Sequence, residues 1–142
     1  MTHKIVVPFK NWHYSWISAR PSGEGSSIMP APAIIAELEK CNSWTGVVDG
    51  EPVAIAGTLE HWRGRHMAWA YLADTSGPYM RWVTREVRKA LDRVTGRIEL
   101  TVRKDFPAGQ RWAELLGFSV ETPIMVGFGP EGEDHVGYVR HN

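Results

Sequence analysis

The sequence predicts an α/β domain: a mixed central sheet in the order β-α-β-β-β-α-β-α-β-β, with helices on both faces. Three observations carry this. A meander of three strands is marked by turn glycines between residues 43 and 73. An amphipathic helix follows over Pro78–Val94. A strand–helix–strand alternation then closes the chain, and that alternation demands parallel pairing near the centre of the sheet. At 142 residues the chain is read as one domain, 1–142, large enough to bury its own core.

The elements read in order as follows. Lys4–Pro8 carries Ile5, Val6 and Val7 and reads as a strand. The aromatic cluster Trp12, His13, Tyr14 and Trp16 reads as an irregular segment, and Arg20 to Pro32, rich in Ser, Gly and Pro, as a mobile loop. Ala33–Lys40 has helical composition, with Pro32 suited to its first turn. Trp44–Val48 and Val53–Leu59 flank Asp49-Gly50, a pair that tolerates the positive φ of a tight hairpin turn. Met67–Ala73 follows across Arg63-Gly64.

In Pro78–Val94, residues Met80, Val83, Val87, Ala90, Leu91 and Val94 recur at the spacing of one buried helical face, and Gly96 punctuates the end. Arg97–Val102 alternates as a strand. Ala108–Leu116 is a second helix stopped by Gly117, and Phe118–Gly127 and His135–Val139 are the last strands.

Composition narrows the function classes. Sixteen basic and sixteen acidic residues give zero net charge, with 43% hydrophobic residues and seven tryptophans. Such a chain is not disordered, and it lacks the global positive charge of a nucleic-acid binder. Cys41 is the single cysteine, so no intrachain disulfide forms. No apolar run approaches a membrane span and no secretory signal is legible, so a cytoplasmic setting is expected. Trp44, Trp69, Trp82 and Trp112 are expected in the core. Trp12, Trp16 and Trp62 are expected in less regular segments that could meet a partner.

Residues Arg111-Trp112-Ala113-Glu114-Leu115-Leu116-Gly117-Phe118, together with the element order, resemble the Gcn5-related N-acetyltransferase (GNAT) superfamily. In that family a penultimate helix runs into a Gly-Phe that opens the next strand. The resemblance covers roughly residues 43 to 127. It implies acetyl-CoA in a wedge between the fourth and fifth strands, its pyrophosphate held by backbone N–H groups at the following helix start, where an anion is favoured.

Leu72, Asp74, Ser76, Gly77, Tyr79 and Arg81 are the positions that would line that cofactor. The family's loop has the form Gln/Arg-x-x-Gly-x-Gly/Ala; the matching stretch here is Asp74-Thr75-Ser76-Gly77-Pro78-Tyr79. Gly77 is kept. Asp74 brings a negative charge, Pro78 lacks a donor, and Tyr79 is bulky where a small residue is usual.

Many members carry an acidic tyrosine four residues before the Gly-Phe glycine, and an asparagine seven residues earlier; here those positions hold Ala113 and Phe106. Glu99 or Glu60 are the carboxylates that could act as general base. Motif loss of this kind resembles the short GNAT-like proteins of tailed phages and prophages, including the small internal virion protein of podophages. That resemblance implies a non-catalytic role with a protein partner, in a virion or by self-association, and a location in the host cytoplasm or the virion. The alternative is an active acetyl-CoA-dependent N-acyltransferase.

Three further features were weighed. Arg81, Arg85, Arg88, Lys89 and Arg93 form a basic stripe on the long helix, with Arg88–Asp92 as its compensating pair and nucleic acid as an unlikely partner. His61 and His66 lack metal-ligand spacing, so no metal is expected. Asp134-His135 is an isolated pair without the setting of a nucleophile.

Overall fold

In a computed structural model, residues 2–18 and 32–142 are described. The chain divides into two compact units: Met1–Leu59 with Ala68–Val83, and Glu60–Met67 with Thr84–Asn142. The strands are β1 (Lys4–Pro8), β2 (Asn42–Val48), β3 (Glu51–Trp62), β4 (Arg65–Leu72), β5 (Arg97–Arg103), β6 (Ser119–Met125) and β7 (His135–His141). The helices are α1 (Asn11–Ser18), α2 (Pro32–Lys40), α3 (Met80–Asp92) and α4 (Pro107–Leu115). Hydrogen bonding orders the seven strands β1-β2-β3-β4-β5-β7-β6. The central pair β4–β5 is parallel, with Arg65 opposite Arg97 and Met67 opposite Glu99. β1–β2, β2–β3, β5–β7 and β6–β7 are antiparallel. The mixed sheet expected from the element order is observed.

In the first unit Asp49 and Gly50 take φ of 49° and 84°, as a tight turn between right-twisted strands requires. The aromatic segment expected to be irregular is instead α1. The signal was present: His13 and Ile17 are buried one turn apart, with Trp16 half-buried beside them. The alternation of large aromatic and polar residues obscured it. The helix opens on a reciprocal cap, in which the His13 N–H donates to the Lys10 carbonyl at 2.9 Å and the Lys10 N–H donates to His13 Nδ1 at 3.0 Å. Phe9, Ile17, Ile35, Leu38, Ile55 and Ala73 form the core here, with Tyr14, Trp16, Trp69 and Tyr71 packed on it. Gly57 is needed for this packing, since a Cβ there would stand 2.7 Å from the Trp69 ring. The Ser-, Gly- and Pro-rich stretch at 20–31 lies outside the described residues.

His13 makes the first unit acid-sensitive. Its Nδ1 must be an acceptor, because Lys10 offers it a backbone N–H, and the wholly buried Thr45 hydroxyl stands 2.7 Å from the same atom. Burial lowers the His13 pKa below 6.5, with Glu39 opposing and Lys10 adding to the shift. The folded state therefore favours neutral imidazole, and this stabilisation is complete above about pH 6.5 and lost as pH falls below it. Thermal melts should show a midpoint lower at about pH 5.5 than at about pH 7.5. In His13→Asn, whose Oδ1 accepts without titrating, that difference should shrink; an unchanged difference would assign the pH response elsewhere.

In the second unit Ile98 is fully buried, and Ala90, Leu91, Val94, Ala113, Leu116, Phe118, Val136 and Tyr138 are all buried with it. The end of the chain caps both helices of this unit. Asn142 Nδ2 donates to the Leu91 and Val94 carbonyls at 2.6 and 2.7 Å, and Arg140 donates to the Leu116 carbonyl at 2.8 Å, satisfying acceptors that a helix leaves open. The long helix expected over Pro78–Val94 is divided: a 3-10 turn spans Asp74–Tyr79 and α3 starts only at Met80. Pro78 contributes to this, having no N–H for an α-helical bond.

The tryptophan expectation is corrected as well. None of the seven is fully buried: Trp44, Trp69, Trp82 and Trp112 are half-buried, as is Trp16 on α1, while Trp12 and Trp62 are 57% and 60% exposed. Indoles are too large to disappear entirely between a sheet and a short helix. Among the described residues no helix is long and apolar enough to cross a membrane.

Candidate functional site

Leu72 to Arg81 forms one continuous segment of the first unit, and every position expected to line a cofactor falls on it. Leu72 ends β4 half-buried, Asp74 opens the 3-10 turn exposed, and Ser76 is buried. Tyr79 is half-buried and Arg81 is exposed in the first turn of α3. Nothing lies within 4 Å of a Cβ built on Gly77, so there is room there for a side chain or a ligand atom.

The donor set is what a pyrophosphate needs, and here it is largely committed. The Ala73 N–H donates to the Val53 carbonyl at 2.9 Å, the Ser76 N–H to the Ala73 carbonyl at 3.1 Å, and the Met80 N–H to the Gly77 carbonyl. Pro78 has none. The first donor of α3, the Met80 N–H, is thus taken up by the 3-10 turn ahead of it. An exposed carboxylate, Asp74, stands at the head of the turn where an anion would approach.

The two carboxylates proposed as bases lie in the second unit. Glu60 is exposed near the end of β3. Glu99, on β5, accepts from Arg65 Nε and Nη2 at 2.6 and 2.9 Å and from Arg97 Nε at 2.6 Å. Arg97 also forks onto Glu121 of β6, through Nη1 at 2.7 Å and through Nη2, and the Arg65 guanidinium lies 4.5 Å from the Trp62 ring centre. The hydrogen bonds from Arg65, joined by those from Arg97, hold the Glu99 carboxyl at about 2. A carboxylate so stabilised is a weak proton acceptor at neutral pH; its geometry is that of a tie across strands.

Ala113 and Phe106 take part in packing. Ala113 is buried in α4. Phe106 precedes α4, accepts the Gln110 N–H on its carbonyl at 3.2 Å, and presses its ring to within 2.5 Å of where a Gly109 Cβ would be. The neighbouring Trp112 indole donates to Thr84 Oγ1 at 2.8 Å.

One arrangement escaped the sequence reading. His135, 7% exposed, places Nδ1 3.1 Å from Thr101 Oγ1, while Glu133 Oε1 stands 3.4 Å from Nε2. Phe128 lies against the ring, 5.2 Å between centres. Thr101 itself is exposed. Asp134, the expected partner of His135, instead accepts the Gly127 N–H at 2.9 Å. Residues 34 apart meet only because β5 pairs with β7, which places Arg103 opposite His135 and Thr101 opposite Gly137. The sequence marks His135 only as half of the isolated Asp134-His135 pair, and does not mark Thr101. Among the described residues no group of three or more metal-ligating side chains comes together. Cys41 is half-buried; its thiol donates to the Glu37 carbonyl at 3.2 Å, and burial raises its pKa.

No protein-family model matches the sequence, and no curated protein matches it significantly. Solved structures do match the fold along nearly its whole length. Ard1 from Thermoplasma volcanium superposes with a TM-score of 0.76 at 13% identity, covering 96% of each chain. The ribosomal-protein-S18-alanine N-acetyltransferase from Escherichia coli gives a TM-score of 0.72 at 17% identity, covering 96% of this chain and 92% of that one. An acetyltransferase of the GNAT family from Streptococcus pneumoniae gives 0.73 at 10% identity, covering 97% and 99%. The strand order, the parallel central pair and these superpositions together show that this chain has the fold of the GNAT acetyltransferases.

Proposed function

We propose that this chain is a GNAT-fold binding and structural protein, of the virion-associated kind its sequence resembles, and not an acetyl-CoA-dependent N-acetyltransferase. The observation that carries the reading is the 3-10 turn Asp74–Tyr79. Its Ser76 and Met80 N–H groups are spent on the turn itself, Pro78 has none, and an exposed acidic residue, Asp74, opens it. The tie of Glu99 to two arginines and the buried Ala113 at the family's acid position support it. A thermal melt with acetyl-CoA tests it. A ligand at a hundredfold excess over its dissociation constant stabilises the folded state by about 2.7 kcal/mol, which for a domain of this size raises the midpoint by roughly 8 °C. Millimolar acetyl-CoA should leave the midpoint unmoved; a clear rise overturns the reading.

A second reading, acyl transfer, is favoured by one observation, the Thr101–His135–Glu133 chain. Glu133 facing Nε2 favours the tautomer whose Nδ1 accepts a proton, and the exposed Thr101 hydroxyl marks where an acceptor would deliver it. If purified protein transfers an acyl group, His135→Gln should lower the rate by about a hundredfold, with stability measured in parallel. Transfer that survives in His135→Gln would remove His135 from the chemistry.

A further inference from the structure

The remaining unexplained feature of the second unit is its basic helical surface. Two hydrogen bonds hold α3 and α4 side by side, Trp112 to Thr84 at 2.8 Å and Arg88 Nη1 to the Leu115 carbonyl at 2.9 Å. On α3 and just beyond its end, Arg85, Arg88, Lys89 and Arg93 are exposed, and on α4 Arg111 and Leu115 are exposed. The α3 stripe runs about 12 Å along the helix.

Its compensation differs from that expected. Asp92 pairs with Arg140, not Arg88, and Lys89 pairs with Glu86 at 3.4 Å. Arg85, Arg93 and Arg111 show no such pairing among the described side chains, and like charges at Arg85 and Lys89 are mutually unfavourable. A helix surface that accepts such repulsion, beside a helix that leaves Leu115 54% exposed, has the arginine enrichment of a contact surface.

We infer that this α3–α4 surface docks an acidic amphipathic peptide segment of a protein partner, with carboxylates on Arg85 and Arg111 and an aliphatic side chain on Leu115. The inference rests on the binding-protein reading above and names the partner chemistry. Charge complementarity sets the sign of the partner, and Leu115 chooses protein over nucleic acid. A phosphate backbone gains nothing from an exposed leucine. Arg88 is pinned to the Leu115 carbonyl, so the anchor and one cation are held together before any partner arrives.

The test uses the full chain and three fluorescent probes: a helical glutamate-rich peptide of about 20 residues with leucines every third or fourth position, the same peptide with alanine for leucine, and a duplex DNA of about 20 base pairs. The leucine peptide should bind at least about tenfold more tightly than the other two. Arg85→Glu with Arg111→Glu should abolish its binding, and Leu115→Ala should reduce it to the level of the alanine peptide. All three positions are exposed, and circular dichroism checks that the variants fold. Equal binding of the two peptides, stronger binding of DNA, or no binding of any probe would each overturn the inference. The acetyl-CoA melt is read separately, so failure of the non-catalytic reading and failure of this surface are distinguishable.

Discussion

Gly96→Ala is expected to destabilise the protein by about 2–4 kcal/mol. Gly96 has φ of 103°, and a Cβ there would lie 2.6 Å from the Gly64 carbonyl oxygen and 3.0 Å from the Gly64 Cα. Both are backbone atoms of a hairpin turn, so neither yields as a side-chain end would. Relief by moving the chain is blocked too: Gly96 and Asn142 exchange backbone hydrogen bonds at 3.1 and 2.9 Å, and the Arg97 N–H donates to Gly64 at 2.8 Å. The start of β5, the end of β7 and the β3–β4 turn thus converge on one residue without a side chain. Urea unfolding measures the loss. Gly77→Ala is the control, because its Cβ meets nothing and its φ lies outside the left-handed region; it should change stability by no more than about 0.5 kcal/mol. Equal stability of Gly96→Ala and wild type would contradict the packing described.

Glu99→Gln is expected to cost about 2 kcal/mol at neutral pH. Displacement of the carboxyl from 4.5 to about 2 sets a ceiling of about 3 kcal/mol, and a side chain 21% exposed loses part of that to solvent screening. The variant leaves Arg65 without a carboxylate, whereas Arg97 keeps Glu121. The sign of the pH dependence follows from the lowered value. The contribution is complete above about pH 4.5 and disappears as pH falls toward 2. Unfolding curves of wild type and Glu99→Gln should therefore converge across that interval. Curves that stay parallel would mean the ion pairs contribute nothing, and that Glu99 acts only through packing.

Local chemistry made much of the fold legible. Asp49-Gly50 requires positive φ whatever surrounds it, and the Met80–Val94 periodicity allows one buried face. The parallel centre of the sheet followed from element order alone. The α1 helix was missed because Trp12 and Tyr14 carry large rings on its outer and half-buried sides, which masks the His13–Ile17 repeat. At the site, the departures from the family's loop were legible because they are contiguous: Asp74, Pro78 and Tyr79 fall on one segment, the 3-10 turn and its Ala73 cap. Glu99 was legible as a carboxylate on a strand but not as an ion-paired one, since its partner Arg65 lies 34 residues away and the pairing depends on register. Thr101–His135–Glu133 was illegible for the same reason.

Isothermal titration of the wild-type chain with acetyl-CoA, alongside a variant carrying Asp74→Gln, Pro78→Ala and Tyr79→Gly, is the most direct measurement of whether this GNAT fold has given up its cofactor. The wild type should show no saturable binding up to about millimolar ligand, and the variant, with a charge removed and a donor restored, should gain it. Wild-type binding in the micromolar range would contradict the reading of the turn as a closed cradle. A variant that still fails to bind would show that the Asp74–Tyr79 turn is not what excludes the cofactor.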